Sequence, residues 1–149
     1  MTLKLQHPFP LIVDGPCSCG KSTFVIRLLE CKEQLCEIVF KNIEWCHSEN
    51  APHHLKNISF VKGVPDFENP ENVPTLIVLD DLMDSAYSTK VNELFTKGSH
   101  HRTISLILIK QNFFHQGPLS HDTSLNSKYI VVFKNLRNKT QIVHLARLI

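Results

Sequence analysis

Apolar residues in this chain fall into short unbroken runs, and few stretches alternate apolar with polar. Phe9 to Val13 (FPLIV) is such a run, closed by Asp14-Gly15, and it reads as a buried strand. From Lys21 the chain reads KSTFVIRLLECKEQ, where Phe24, Leu28 and Cys31, with Val25 and Leu29 beside them, recur at helical spacing. Cys36 to Ile43 is expected to be the second strand, and Asn57 to Val61 a short edge strand. Gly63 to Pro74, rich in Pro, Asn and acids, reads as a loop. Strong strands follow at Thr75 to Asp80 and Thr103 to Lys110, with a short helix over Ser88 to Lys97 between them, stopped by Gly98. Tyr129 to Lys134 is a fifth strand, and Lys139 to Ile149 a closing helix. Uniformly apolar strands are covered on both faces, so the pattern predicts an α/β fold with a parallel sheet between helices.

At 149 residues, 42% hydrophobic and 20% charged, the chain has the size and composition of one globular domain. Its apolar runs are far shorter than the ~18–20 residues of a membrane span, so no membrane partner is expected. The opening MTLKLQHPFPLIV lacks a long apolar core followed by a small-residue cleavage site, which predicts an intracellular protein of the cytoplasm or nucleus. Five cysteines, an odd number, fit reduced thiols in that setting, and their spacing makes no familiar zinc pattern. The net charge of +2 hides an asymmetry: residues 1–96 hold eight Lys/Arg against thirteen Asp/Glu, and residues 97–149 hold eight against one, Asp122. Such a split marks either a nucleic-acid-facing side or solvated cations at helix and loop ends.

Gly15-Pro16-Cys17-Ser18-Cys19-Gly20-Lys21-Ser22 matches G-x-x-x-x-G-K-[ST], after an apolar strand and opening a helix. In this phosphate loop Gly15 and Gly20 permit backbone angles and close approaches that a side chain would block. The backbone of Gly15 to Thr23 turns its N–H groups, which Pro16 lacks, toward the anion, and the positive end of the helix faces it too. Lys21 is placed for the β- and γ-phosphates of ATP, and the Ser22 hydroxyl for Mg²⁺. Cys17 and Cys19 are unusual fillers: either small side chains are tolerated there, or a thiol at the helix N-terminus is reactive.

Thr75 to Asp81 (TLIVLDD) is an apolar strand ending in two acids. Asp80 at the strand tip is a candidate Mg²⁺ ligand, and Asp81 a candidate for polarising the attacking water. The interval from Lys21 to Asp80 leaves room for a strand between, which separates this layout from kinases and GTPases, where the acid strand adjoins the loop strand. Gln111, after the run Ile104 to Ile109, is a candidate sensor of the γ-phosphate. Arg102 reads either as an arginine finger reaching a neighbouring subunit or as a surface or DNA-contacting cation, with Arg137 and Arg147 as rivals. His100-His101 reads as a solvated loop.

Four segments, HPFPLIVDGPCSCGKSTFVIRLL, TLIVLDDLM, LFTKGSHHRTISLILIKQNFFHQG and SLNSKYIVVFKNLRNKTQIVHLAR, resemble the genome-packaging ATPases of Polinton/Maverick elements and adintovirus-like viruses, in the FtsK–HerA superfamily. The resemblance runs from about His7 to Arg147 and is most specific over Lys97 to Gly117. It implies a P-loop NTPase with a mostly parallel sheet in an additional-strand, RecA-like arrangement, assembled as a homo-oligomeric ring, a hexamer, around double-stranded DNA. ATP would be hydrolysed between subunits, with Gly15 to Ser22 as the phosphate loop, Asp80 and Asp81 as the acid pair, and Gln111 as the sensor. Capsid proteins and a virion-associated location belong to the same expectation. The chain departs from the family in having Asp81 where Glu is frequent, and Lys110 where a small hydroxyl residue precedes the Gln. The resemblance also leads us to expect further residues after the fifth strand, so residues 1–149 are expected to be one ATPase domain shortened at its C-terminus.

Three readings compete. The first is an ATP-driven translocase that packages viral or transposon DNA. The second is a catalytically weak nucleotide-binding module kept as an interaction protein. The third is a small-molecule kinase, disfavoured by the missing Arg-rich lid and the distant acid strand.

Overall fold

The computed structural model describes residues 3–64, 72–82, 88–96, 103–110, 126–133 and 147. Strand β1 (Pro10–Asp14) leads through the phosphate loop into helix α1 (Lys21–Glu30) and a single turn, α2 (Lys32–Leu35). Strands β2 (Asn42–His47), β3 (Ser59–Lys62) and β4 (Thr75–Asp80), helix α3 (Ser88–Thr96), then strands β5 (Ile104–Lys110) and β6 (Tyr129–Val132) follow. The six strands form one sheet in the order β3-β2-β4-β5-β1-β6, and every neighbouring pair is parallel.

Burial explains the arrangement. All residues of β1 and β5 are buried, as is β4 up to its last residue, Asp80. Alternate residues of these strands feed two cores. Leu11, Val13, Leu76, Val78, Ile107 and Ile109 pack with Val25, Leu28 and Leu29 of α1. Ile12, Ile77, Leu79, Leu106 and Leu108 pack with Val91 and Phe95 of α3. The two helices therefore cover opposite faces, as continuous apolar strands require.

The expected strand over Cys36 to Ile43 is corrected: the strand is Asn42–His47. Ile38-Val39-Phe40 has the composition of a strand, but Val39 is 75% exposed, while Phe40 is buried in the core and Ile38 packs partly against it. Cys36 makes an isolated bridge with Leu5, and the Lys41 N–H donates to the Pro74 carbonyl, so this segment only leads into the sheet. Two strands, β2 and β3, thus lie along the chain between the phosphate loop and the acid strand. The edge strand expected near residue 58 is β3, displaced by one or two residues. The expected closing helix lies outside the described residues except at Arg147, and so does most of the basic segment from residue 97 onward.

At the opposite end of the sheet from the loop, Ser105 ties the start of the chain to β5. Its Oγ accepts from the Phe9 N–H at 3.0 Å and lies 2.6 Å from His7 Nδ1. Burial lowers the His7 pKa against the pull of Glu37, which favours the neutral ring that can accept the Ser105 proton.

Candidate nucleotide site

Residues Gly15 to Gly20 connect the C-terminal end of β1 to α1 through two left-handed positions, Ser18 at φ 59° and Gly20 at φ 100°. Gly20 is the N-cap of α1, with no side chain capping the helix and no acid in its first turn. The first N–H groups are thus left to an anion, and the helix dipole favours one there.

Gly15 is required for a different reason. A Cβ built on it would lie 2.7 Å from Phe133 Cβ and 2.8 Å from Cys19 Sγ. Phe133 is held in place by its N–H, which donates to the Asp14 carbonyl at 2.8 Å. Gly15→Ala is therefore expected to destabilise the protein by about 1–3 kcal/mol through overpacking. The thermal midpoint should fall by several degrees and nucleotide binding should weaken; an unchanged midpoint would show that the loop yields freely.

A cleft of about 400 Å³ opens over the loop, lined by Cys17 to Thr23, Asp80, Asp81, Ile109 and Lys110. That volume lies within the range of small-molecule sites. The structure thus gathers Lys21, Ser22, Thr23, Asp80 and Asp81 around one space. Gln111 and Arg102 lie outside the described residues, as does Arg137. Arg147 is exposed.

Lys21 is only 8% exposed, and its ammonium donates to the carbonyls of Gly15 and, at 2.9 Å, Pro16. The cation is held against its own loop at the mouth of the cleft. Ser22 and Thr23 are exposed on the first turn of α1. Cys17 is exposed and Cys19 half-buried, and both border the cleft.

The acid pair stands two strands away from the loop strand, with β5 between β4 and β1. This insertion sets the layout apart from sheets in which the acid strand adjoins the loop strand. Burial pushes the Asp80 carboxyl up to about 6 from its ordinary 3.8. The Trp45 indole N–H and the Lys21 ammonium pull it down, and the Asp81 charge pushes it up. Asp81 is exposed, takes the left-handed conformation at φ 55°, and donates its N–H to the Ile109 carbonyl at 3.1 Å. A non-glycine residue in that region is uncommon and gathers at functional sites.

Sequence reading missed three features around the cleft. His47 of β2 is the register partner of Asp80, and Trp45, two residues earlier, is fully buried. Both were unplaced because β2 was expected several residues too early. The third is the pairing of Asp14 with Lys110 at the tips of β1 and β5, both buried. Burial pushes Lys110 down to about 8, opposed by the Asp14 charge.

The donor set suits a nucleoside triphosphate and a hard divalent cation. The loop offers N–H groups and one ammonium to phosphates, while the Ser22 hydroxyl and Asp80 carboxylate offer oxygen ligands of the kind Mg²⁺ prefers.

No protein-family model matches the chain, and no curated protein matches it. Solved structures do. The cytoplasmic domain of EssC aligns over 91% of this chain at 15% identity and a TM-score of 0.62. EccC (ATPases 2 and 3) of Thermomonospora curvata, solved with a signal sequence peptide, aligns over 89% at 11% identity and a TM-score of 0.61. This chain spans about a third of each of those two, 33% and 31%. The genome packaging NTPase B204 of Sulfolobus turreted icosahedral virus 2, in complex with ATP-gammaS, aligns over 95% of this chain and 82% of its own length, at 13% identity and a TM-score of 0.58. The same NTPase in complex with sulfate aligns at 14% identity and the same TM-score, 0.58. With a loop-and-acid cleft at the C-terminal edge of a six-stranded parallel sheet, and with these neighbours, the chain has the fold of the P-loop ATPases.

Proposed function

We propose that this chain is the ATP-hydrolysing domain of a DNA translocase that packages viral or transposon double-stranded DNA. It would act as a homo-oligomeric ring, a hexamer, of the FtsK–HerA type that the sequence resembles. The observation that carries the reading is the convergence of the phosphate loop and the acid pair on one cleft, with β5 inserted between their strands. The likeness to B204, which extends over 82% of that protein, supports the genome-packaging branch of the reading.

In this reading the triphosphate takes the place of the Gly15 and Pro16 carbonyls as the partner of Lys21. Ser22 and Asp80 hold Mg²⁺, which when bound neutralises charge on the β- and γ-phosphates. Asp81 orients the attacking water and accepts its proton. Gln111 senses the γ-phosphate, and Arg102 acts across the subunit boundary. The basic segment after residue 97 grips DNA phosphates without reading bases, since a motor must accept any sequence.

The test is ATP turnover by the purified chain with and without double-stranded DNA, across a salt series. Turnover that rises with DNA, and loses that rise steeply as salt increases, is expected. Nucleotide binding without turnover under any of these conditions would favour the interaction-module reading. Phosphate transfer to a nucleoside or metabolite would favour a kinase.

A further inference from the structure

Trp45 is fully buried, yet its Nε1–H has no acceptor in hydrogen-bonding geometry. A buried N–H left without an acceptor is costly, so such a group calls for a reason. A phenylalanine ring would fill the same core without that cost. The position supplies the reason. Trp45 stands opposite Val78 in the β2–β4 register, and Asp80 is the next residue of β4 on the same face, the face covered by α1. The indole is long enough to reach one position along the neighbouring strand. The N–H lies near enough to the Asp80 carboxyl to pull its pKa down, but outside the geometry of a made hydrogen bond. Nearby, His47 Nδ1 is likewise buried without a partner, directly beside Asp80 in register.

We propose that Trp45 is a positioning residue for Asp80: its indole N–H closes onto one carboxylate oxygen when the other oxygen takes Mg²⁺. A carboxylate that ligates a metal needs its orientation fixed, and an outer donor on its second oxygen does this while leaving the first free. In the fully buried setting of the indole the bond to a charged acceptor is a strong one. The Trp45 N–H is therefore held in reserve for the loaded site. This rests on the nucleotide reading of the cleft and deepens it.

The experiment uses the fact that Trp45 is the single tryptophan of the chain. The ¹⁵N-labelled protein should show one indole N–H signal. Mg²⁺-ADP is expected to move it downfield, as a new hydrogen bond does, whereas ADP with a chelator should move it little. Asp80→Asn should remove the Mg²⁺-dependent part of the shift. Trp45→Phe, which keeps a ring in the core, should raise the Mg²⁺ concentration needed for half-maximal nucleotide binding roughly tenfold or more. Its affinity for ADP in chelator should stay near that of the wild type. The inference is overturned if the wild type binds Mg²⁺-ADP with the indole signal unmoved, or if Trp45→Phe binds Mg²⁺-ADP as the wild type does. A wild type that binds no nucleotide, with or without Mg²⁺, overturns instead the reading of the cleft on which the inference rests. If Trp45→Phe fails to fold, the indole signal in the wild type decides alone.

Discussion

Replacing Lys21 by Ala should abolish nucleotide-dependent activity while leaving a folded protein. Lys21 contributes the one lysine or arginine side chain of α1's first turn, and the structure holds its ammonium at the mouth of the cleft on the Gly15 and Pro16 carbonyls. Those carbonyls are a temporary partner in the proposed cycle. A phosphate oxygen offers the ammonium a full negative charge and makes the stronger, charge-assisted bond. Without Lys21 the loop keeps its N–H groups and helix dipole but loses the side-chain cation that would face the charge developing on the leaving β-phosphate oxygens. Loss of one such preorganised donor costs about 10²–10³ in turnover. The fold itself should weaken by no more than roughly 1–3 kcal/mol, since two hydrogen bonds to a charged donor are lost together with the cost of burying it. Fluorescent-nucleotide titration beside a thermal melt separates the two effects. Tight binding and turnover in a well-folded Lys21→Ala variant would show that the cleft is not a triphosphate site.

Asp80→Asn should make the metal-free protein more stable and suppress the proposed ATP turnover. The carboxyl is raised to about 6 because burial penalises its charge more than Trp45 and Lys21 favour it. In the unfolded chain the same group titrates near 3.8. Between these values the folded state holds the extra proton, so this group lowers stability as pH rises from about 4 to about 6. At pH 7 the native protein carries the charge at a cost of roughly 1–3 kcal/mol, which an asparagine avoids. In the presence of chelator, the melting temperatures of the two proteins should coincide near pH 4. The variant should gain roughly 2–10 °C by pH 7. Turnover should fall by about a hundredfold or more, because the proposed mechanism makes Asp80 a metal ligand worth several kcal/mol. A variant that is less stable than the wild type at pH 7, or that still turns over, would contradict this account.

The sequence made the chemistry legible where chemistry is local. The phosphate loop is a contiguous motif, and its strand and helix announce themselves by a five-residue apolar run and a 3.6-residue spacing. Strands β4 and β5 were equally plain, because strands buried on both faces have no polar alternation to confuse them. What stayed hidden is set by register between distant segments. Asn42–His47 mixes Asn, Glu and His with Ile, Trp and Cys, since it lies next to the edge strand with part of one face open, so the more apolar stretch before it drew the assignment. With β2 misplaced, Trp45 and His47 could not be set beside Asp80, nor could the Asp14–Lys110 pairing be seen without knowing that β5 enters between β1 and β4. Gln111 and Arg102 stand as sequence proposals, outside the described residues.

The place of β1 in the sheet has a consequence for how the protein is made. Both neighbours of this strand come late in the chain: Pro10 pairs with Leu106 of β5, and Leu11 with Tyr129 of β6. At about 5–20 residues per second of synthesis, the first strand leaves the ribosome roughly 5–20 s before either neighbour exists. During that interval its apolar run has no sheet to join, and the phosphate loop has no second strand to brace it. Such long-range parallel pairing folds slowly and exposes sticky surface meanwhile. Nascent chains halted before β5 should hold a protease-sensitive N-terminus, and its protection should arrive only with the last third of the sequence.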